Sequence, residues 1–419
     1  MMDADAGVVV VGGGQAGFQT AVSLRQNGFA GPVTIVEAGT ARPYQRPPLS
    51  KAYLDLTNEA DDAVLEFRPD SFYERHGVQV RVGTRVSSID RRAGAVRLDS
   101  AEVLRYGHLV LALGARPRQL SLPAIDVAGV HVLHDLDDAR ALRTALGAAT
   151  TVVVIGGGFI GLEVAAAARR SGCAVTVVEA APRVMGRVVS RELSEFVASA
   201  HRSKGAVVRV GSGVARLHDS NGRVAGVELT SGEVLPADLV VIGVGVEPVT
   251  DVAESAGLAV RNGILVDETL LTVDPRISAI GDCAAYPSVH APGMVRLESV
   301  QNATDQARCV AARIAGGSVD RYAALPWFWT HQFDLNVQIA GLGGEQDDTV
   351  TVGDVAGEKF SVLRFRAGRL ACVESVNSPA DHMAARKILA DNVFLGPAEA
   401  GRRGFTLKEF ARGASAANA

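Results

Sequence analysis

The sequence predicts an α/β protein with two similar parallel-sheet domains and a smaller C-terminal α+β domain. The first observation is an internal repeat, because VVVVGGGQAG at residues 8–17 returns as VVVIGGGFIG at residues 152–161. The second is that each copy continues into a helical pattern and a further apolar strand. The third is a hairpin-and-helix pattern after residue 325. A β-branched strand, a glycine turn and a helix are typical of the start of a Rossmann-like dinucleotide-binding domain, so two such domains are expected.

Each copy of the repeat has the spacing Gly-x-Gly-x-x-Gly. The first glycine permits a tight turn, the second lets a pyrophosphate approach the backbone, and the third lets the helix and the strand pack closely. The N-terminus of the helix then offers N–H groups to the phosphates. The predicted phosphate-binding glycines are Gly12, Gly14 and Gly17 in the first copy and Gly156, Gly158 and Gly161 in the second.

An acidic residue closes the second strand of each copy. VTIVE ends at Glu37 and VTVVE ends at Glu179, which lie 20 and 18 residues beyond the last glycine. An acid at this place accepts hydrogen bonds from ribose hydroxyls. Two sites in one chain indicate one fixed and one exchanging nucleotide, and Glu179 would repel a 2′-phosphate, which favours NAD(H) over NADP(H) at the second site. Arg183 and Arg187 come next, and a nucleotide contact and plain solvated charge are equally open for both.

Three loops carry further candidate residues. YGHLVLALGARPR, residues 106–118, is typical of a buried strand that ends at Gly114 in a cationic loop. LLTVDPRISAIGDCAA, residues 270–285, leads through a short apolar strand to Asp282, which either binds a hydroxylated chain such as ribitol or forms a simple turn. PYQRPPLSK contains three prolines, which predict a stiff loop. That loop either holds Arg46 and Lys51 in place or is merely solvated.

The composition excludes several classes of function. The 419-residue chain has 47% apolar and 21% charged residues and a net charge of −4, so no basic field attracts nucleic acid or a membrane. No apolar run approaches the roughly 20 residues that span a bilayer, and the acidic start MMDADAG lacks the basic region of a secretory signal. Four widely spaced cysteines argue against a disulfide framework and a dithiol centre. We therefore expect a cytoplasmic protein without a metal site.

Several of these segments, together with two longer ones, resemble one family over nearly the whole chain. The longer segments are RLESVQNATDQA and LPWFWTHQFDLNVQIAGL, which are more specific than the glycine turns. The sequence resembles the putidaredoxin reductase-like, FAD-dependent NADH:ferredoxin reductases, which are related to glutathione reductase. The resemblance implies FAD at the first fingerprint, NADH at the second, and a [2Fe–2S] ferredoxin as electron acceptor. It leaves the oligomeric state open.

The resemblance also assigns roles to individual residues. The residues implied to hold FAD are Gly12, Gly14, Gly17, Glu37, Arg46, Pro47, Lys51, Ala112, Gly114, Arg116, Asp282 and Val300. The residues implied to hold NADH are Gly156, Gly158, Gly161, Glu163 and Glu179, and Arg183 and Arg187 are added as candidates. Lys51 is expected at the hydride-accepting edge of the flavin, Glu163 at the nicotinamide amide, and Trp329 near the flavin and the ferredoxin. Leu113 departs from a common Thr, and His331 departs from a common acid or amide.

The expected function is electron transfer by a flavoprotein oxidoreductase. NADH passes a hydride to FAD, and the electrons then leave one at a time for a ferredoxin that feeds a haem monooxygenase or an aromatic-ring dioxygenase. Residues 1–172 contain no cysteine, so the disulfide-reducing and single-cysteine relatives of this fold are excluded. Two alternatives stay open: a quinone or another small acceptor, and an association protein of the apoptosis-inducing-factor type that senses NADH.

The expected domains follow the motifs. FAD is expected to bind to residues 1–114 and 247–324, NADH to residues 115–246, and residues 325–419 are expected to form the α+β domain. In that last domain KFSVLRF and RLACVESV predict a hairpin, and PADHMAARKILAD predicts the following helix. The candidates for a basic ferredoxin-binding patch are Arg68, Arg75, Arg386 and Lys387.

Overall fold

The computed structural model describes residues 7–59, 61–123, 125–318 and 321–417. Within them the chain forms two compact units. The first comprises the described residues of 1–46, 61–116 and 246–324, and the second those of 47–60, 117–245 and 325–419. The sequence placed residues 47–60 with the first FAD-binding segment, whereas they pack within the second unit. The assignment of cofactors to the four segments stays a prediction.

The β-strands are numbered along the described part of the chain. From the N-terminus to residue 242 they are β1 (Val8–Val11), β2 (Val33–Val36), β3 (Val78–Arg81), β4 (Val86–Asp90), β5 (Ala95–Leu98), β6 (Val103–Arg105), β7 (His108–Leu111), β8 (Ala115–Pro117), β9 (Val130–Val132), β10 (Thr151–Ile155), β11 (Ala174–Glu179), β12 (Val207–Val210), β13 (Val214–Ser220), β14 (Arg223–Leu229), β15 (Val234–Pro236) and β16 (Leu239–Ile242). The later ones are β17 (Val246–Pro248), β18 (Ile264–Leu265), β19 (Ile277–Ala279), β20 (Ala284–Pro287), β21 (Met294–Val295), β22 (Trp327–Gln332), β23 (Leu335–Gly341), β24 (Asp348–Asp354), β25 (Lys359–Arg366) and β26 (Arg369–Val376).

The helices are numbered in the same way. The α-helices are α1 (Gln15–Gln26), α2 (Asp70–Arg75), α3 (Leu136–Ala148), α4 (Phe159–Arg170), α5 (Arg191–Ser203), α6 (Asp251–Ser255), α7 (Val300–Ile314), α8 (Pro379–Ala390), α9 (Pro397–Ala400) and α10 (Leu407–Ala417). Short 3-10 helices cover Pro47–Ser50, Ala52–Leu54, Asp62–Leu65 and Gly281–Cys283.

The first unit is built on a parallel sheet in the order β19-β7-β1-β2-β3. Strand β1 is buried on both faces, which its run of four valines favours. Val8 pairs with Val33 on one side and with His108 on the other, so β1 is the central strand. Helices α1 and α7 pack against each other beside this sheet. The glycine turn after β1 is therefore held at the carboxyl edge of the sheet, where open α/β sheets bind ligands.

The second unit contains a parallel sheet of the same kind, in the order β12-β11-β10-β16-β9. Strands β10 and β16 are almost entirely buried, and α4 packs on β10 and β11. A small antiparallel sheet, β13-β14-β15, adjoins this sheet through a shared apolar cluster. The internal repeat of the sequence is thus a repeat of structure, and the predicted fold class is confirmed.

The C-terminal segment forms an antiparallel sheet in the order β22-β23-β26-β25-β24, with α8 packed on it and α10 on α8. The predicted hairpin is β25 and β26. Its turn has positive φ at Ala367 (49°) and Gly368 (75°), as a tight two-residue hairpin turn requires. The predicted helix is α8. Both predictions are confirmed.

All four cysteines are thiols, and Cys173, Cys283 and Cys372 are buried. In the described residues no group of three or more His, Cys, Asp or Glu side chains is arranged to hold a metal ion. In the same part of the chain, no helix combines the length and the apolarity that crossing a membrane requires.

Candidate functional site

The first fingerprint joins β1 to α1 by a turn that only glycine fits. Gly12 has φ +106°, and a Cβ there would lie 2.1 Å from the carbonyl oxygen of Ala112. A Cβ at Gly17 would lie 1.9 Å from the carbonyl oxygen of Gly12, so the helix packs directly on the turn. Gly14, in contrast, has no atom within 4 Å of its Cβ position. This open backbone at the start of α1 fits the pyrophosphate of a dinucleotide.

The second fingerprint repeats this geometry between β10 and α4. Gly156 has φ +111°, and its Cβ would lie 2.3 Å from the carbonyl oxygen of Gly243. A Cβ at Gly161 would lie 2.1 Å from the carbonyl oxygen of Gly156, and Gly158 again faces open space. The structure therefore brings the predicted glycines together in two equivalent turns, and their binding of phosphate stays a prediction.

The two acids also occupy equivalent positions. Glu37 accepts hydrogen bonds from the backbone N–H groups of Gly13 (2.5 Å) and Gly39 (2.7 Å). Glu179 accepts from Gly157 (2.7 Å) and Ala181 (2.7 Å) in the same way. Each carboxylate is thus fixed across its glycine turn. Both stay partly exposed, which leaves oxygen lone pairs for ribose hydroxyls.

Asp282 lies next to the first fingerprint in the first unit. The 3-10 helix that contains it contacts α7, and the Cβ position of Gly281 is 3.2 Å from the Cβ of Ala16 in α1. Burial and, second, the charge of Glu298 raise the pKa of Asp282 to about 7, while Arg46 and Arg296 act in the opposite direction. A partly buried carboxyl of this kind both donates and accepts hydrogen bonds near neutral pH, as a polyhydroxyl chain requires.

Val300 is the first residue of α7, where backbone N–H groups lack intrahelical acceptors. Ser299 caps this helix, and its hydroxyl accepts from the N–H of Asn302 (3.1 Å). Gln306 on the same helix accepts from the N–H of Gly281 (2.7 Å). The first unit thus brings the first fingerprint, Asp282 and the N-terminus of α7 together.

The loop after β7 carries three of the residues expected to hold FAD. Ala112 contacts the fingerprint turn, and Gly114 has φ +70°. Arg116 is about half exposed and is paired with Glu247 (2.7 Å) and Asp251 (2.6 Å). Its proposed contact with FAD stays a prediction. Leu113, which replaces the common Thr, packs against the apolar core of the first unit.

Lys51 and Glu163 form the most distinctive polar cluster of the second unit. Glu163 is only 2% exposed and accepts from the Lys51 ammonium at 2.8 Å. It also accepts from the hydroxyl of Thr330 at 2.5 Å and from that of Ser50. The Lys51 ammonium further donates to the Pro47 carbonyl at 3.2 Å. The stiff proline loop therefore holds a cation against a buried carboxylate, and the solvated-loop alternative is wrong for Lys51.

Trp329 lies on β22 beside Trp327, with ring centroids 5.5 Å apart. Both rings are partly exposed, and the Arg386 guanidinium lies 4.7 Å above the Trp327 ring. Lys387 is paired with Asp391 at 2.8 Å. The neighbouring His331 is exposed, and local desolvation together with the charge of Lys51 lowers its pKa. A neutral imidazole is expected there at pH 7.

Arg183 and Arg187 have different surroundings. The Arg183 guanidinium donates to the carbonyls of Gly186 (2.6 Å) and Val189 (2.7 Å), which folds the loop on itself. Arg187 is exposed, and its Nη2 lies 3.2 Å from the Cβ position of Gly245. Gly245 follows β16 at the carboxyl edge of the parallel sheet that carries the second fingerprint. Of the two arginines, Arg187 is better placed for a nucleotide contact.

Sequence reasoning missed Ser50 and Thr330. Each is adjacent to a residue that was singled out, Lys51 and Trp329 respectively. The available signal for Thr330 was the alternation of side chains along β22, which places it on the face opposite to Trp329.

Comparison with known proteins places this geometry in a family. Residues 6–307 match the model described as pyridine nucleotide-disulphide oxidoreductase, and residues 327–411 match the model described as reductase C-terminal. The chain belongs to the pyridine nucleotide-disulphide oxidoreductase family. The resemblance drawn from the sequence is confirmed, and the expected cofactors, FAD and a nicotinamide nucleotide, are those of the family. The binding roles of individual residues stay predictions.

Similar proteins cover nearly the whole chain. Rhodocoxin reductase of Rhodococcus erythropolis is 48% identical over 401 residues, which are 96% of this chain and 93% of that protein. The solved ferredoxin reductase for the CYP199A2 system of Rhodopseudomonas palustris matches with a TM-score of 0.94 at 46% identity, over 97% of this chain and 100% of that one. The reductase in a covalent putidaredoxin reductase–putidaredoxin complex matches with a TM-score of 0.94 at 37% identity, over 99% and 100%.

Proposed function

We propose that this oxidoreductase is an FAD-dependent NADH:ferredoxin reductase, which passes electrons one at a time to a [2Fe–2S] ferredoxin of a monooxygenase or dioxygenase system. The observation that carries the proposal is the pair of equivalent fingerprints, each with its acid fixed across the glycine turn. Residues 1–172 contain no cysteine, so no dithiol near the first fingerprint relays the electrons. The names of the similar proteins, among them rhodocoxin reductase, support a ferredoxin as acceptor.

We assign FAD, NADH and the ferredoxin contact to the four expected segments of the chain. FAD binds to residues 1–114 and 247–324 through the first fingerprint, Glu37, Arg46 and Asp282. NADH binds to residues 115–246 through the second fingerprint, Glu179 and Arg187. Residues 325–419 supply Trp329 at the ferredoxin contact. A cytoplasmic location is part of the proposal, because the four cysteines are thiols.

Bound flavin would supply the chemistry, because it can accept two electrons together as a hydride and release them one at a time. The protein contributes position and charge. Lys51 is proposed to place its ammonium where negative charge develops during hydride transfer, and a preorganised cation stabilises such charge without reorganisation. Glu163 keeps that ammonium in place, and two hydroxyls fix its own carboxylate. No side chain is required as a nucleophile.

Reduction of a panel of electron acceptors by NADH tests the proposal. The purified protein should release FAD on denaturation and should reduce a [2Fe–2S] ferredoxin faster than a quinone of similar potential. Release of FMN, or of no flavin, would contradict the FAD site. Faster turnover with quinones would favour a small acceptor, and slow reoxidation with NADH-dependent dimerisation would favour an association protein.

A further inference from the structure

The segment that follows Glu179 is held against the second fingerprint. The backbone N–H of Met185 donates to the carbonyl of Gly157 at 2.8 Å, and Met185 itself is buried. Residues 183–190, here called the arginine loop, carry Arg183 and Arg187. Arg183 braces the loop internally by its hydrogen bonds to the carbonyls of Gly186 and Val189, and the exposed Arg187 lies between these two braced positions.

Two buried charged residues of the C-terminal sheet hold the far end of this loop. Glu374 on β26 is fully buried and accepts from the Ser190 backbone N–H (2.9 Å) and hydroxyl (2.5 Å). Arg364 on β25 donates to Glu374 (2.7 Å) and to the carbonyl of Val188 (3.0 Å). The pair thus contacts the arginine loop through both of its members.

Stability alone does not account for such a pair. Two charges withdrawn from water repay their desolvation only with good geometry, and apolar residues of similar volume often stabilise a protein as much or more. What this pair adds is specific geometry, because its hydrogen bonds fix the Val188 carbonyl and the Ser190 N–H in defined positions. The position of Arg187 depends on this backbone, and Arg187 lies beside Gly245 at the carboxyl edge of the sheet, where open α/β sheets bind dinucleotides.

We propose that Glu374 and Arg364 are positioning residues for the nicotinamide nucleotide. By holding residues 188–190 they keep Arg187 beside Gly245, and they set the affinity for NADH without touching it. This inference rests on the proposed function, in which NADH occupies the second fingerprint. It assigns the C-terminal domain a part in nucleotide binding in addition to its expected contact with ferredoxin.

The variant Glu374→Gln tests the role. Gln keeps the volume and can accept from Ser190, but its amide group then faces the N–H groups of Arg364. If the arginine loop keeps its binding geometry only about one tenth of the time, the apparent Kd for NADH rises about tenfold. We expect this rise in the KM for NADH with ferricyanide as acceptor, with kcat within about twofold and an unchanged FAD content.

A double-variant cycle with Arg187→Ala separates positioning from general damage. If Glu374 acts through Arg187, the two substitutions together raise KM by about as much as the larger single effect, because coupled residues are not additive. A product of the two single effects would overturn the proposal. So would a Glu374→Gln protein with the wild-type KM.

Matched variants complete the design. Ser375→Ala removes a buried hydroxyl that accepts from Ser361 (3.0 Å) in the same two strands, without a contact to the arginine loop, and its KM should stay within about twofold of wild type. If Glu374→Gln does not fold, Arg364→Lys takes its place in the cycle, since Lys lacks the fork that reaches both Glu374 and Val188. A wild type that does not oxidise NADH would contradict the proposed function itself, whereas normal NADH oxidation with additive variants would overturn only this inference.

Discussion

Replacement of Lys51 by Met is the most direct test of the Lys51–Glu163 cluster. The ammonium lies 2.8 Å from a carboxylate that is 2% exposed, while Lys51 itself is 22% exposed. Met keeps the length of the stem and removes only the charge. We expect FAD to stay bound, because Lys51 is expected at the hydride-accepting edge of the flavin, whereas the first fingerprint and Glu37 are proposed to hold the dinucleotide tail. Flavin reduction by NADH should slow about ten- to a hundredfold, since losing one charge-assisted contact costs about 1.5–3 kcal/mol.

The same substitution should also lower stability, for a different reason. It leaves Glu163 buried without its cation, and breaking a buried pair from one side costs about 3–5 kcal/mol. We expect the lower end of that range, because the hydroxyls of Ser50 and Thr330 still donate to the carboxylate. The double variant Lys51→Met/Glu163→Gln removes the unpaired charge. Its melting temperature should therefore recover, whereas its flavin reduction should stay slow.

Stopped-flow reduction at saturating NADH and thermal unfolding measure the two effects separately. Lys204→Met is the matched control, since Lys204 pairs with Asp334 at 2.7 Å on the surface of the same unit. That exposed pair should contribute nothing measurable to either quantity. A Lys51→Met protein that reduces its flavin at the wild-type rate would refute the reasoning. Recovery of the rate together with the stability in the double variant would show that the unpaired carboxylate of Glu163, and not the loss of the ammonium, slows the reaction.

Three further outcomes are expected. Glu179→Arg should narrow the preference for NADH over NADPH, measured as the ratio of the two kcat/KM values. Equal use of both nucleotides by the wild type would contradict the role of Glu179 in selecting NADH at the second fingerprint. In the FAD-free protein the folded pKa of Asp282 is about 7, above its ordinary value near 4, so stability should be lost as pH rises from about 4 through 7. Asp282→Asn should abolish that part of the pH dependence in thermal scans at pH 5 and 8. Arg386→Glu with Lys387→Glu should slow ferredoxin reduction and weaken its salt dependence, while NADH-to-ferricyanide activity stays unchanged; a ferredoxin rate indifferent to salt and to both substitutions would remove the electrostatic contact on this surface.

The parts of the site that the sequence predicts are those made by short stretches of chain. The turn at Gly12, its counterpart at Gly156 and the acids that close the next strands are local features, so spacing alone reveals them. The partners of Glu163 are not local, because Ser50 and Thr330 lie 113 and 167 positions away in the chain. No periodicity links residues so far apart.

Arg116 also has partners that its motif cannot reveal, because they are distant in the sequence. The resemblance implies a contact between Arg116 and FAD, and that contact stays a prediction. The motif does not reveal that the guanidinium also pairs with Glu247 and Asp251, which lie 131 and 135 positions later. A motif gives the place of a side chain along the backbone. It does not give the charges that the rest of the fold brings within reach, and a long flexible cation turns toward them.

Strand β22 connects the two halves of the proposed reaction. Thr330 points inward, where it is fully buried and donates to Glu163, the carboxylate that holds Lys51. Trp329, the preceding residue, faces the other way and stacks loosely on Trp327 at a partly exposed surface. Adjacent residues of a strand lie on opposite faces, so in the proposed function a single segment of the C-terminal sheet would serve both hydride transfer and the contact with the acceptor. A reductase without a relay dithiol passes electrons from the flavin directly to its acceptor, and the roles proposed for these two adjacent residues would serve the step before that transfer and the transfer itself.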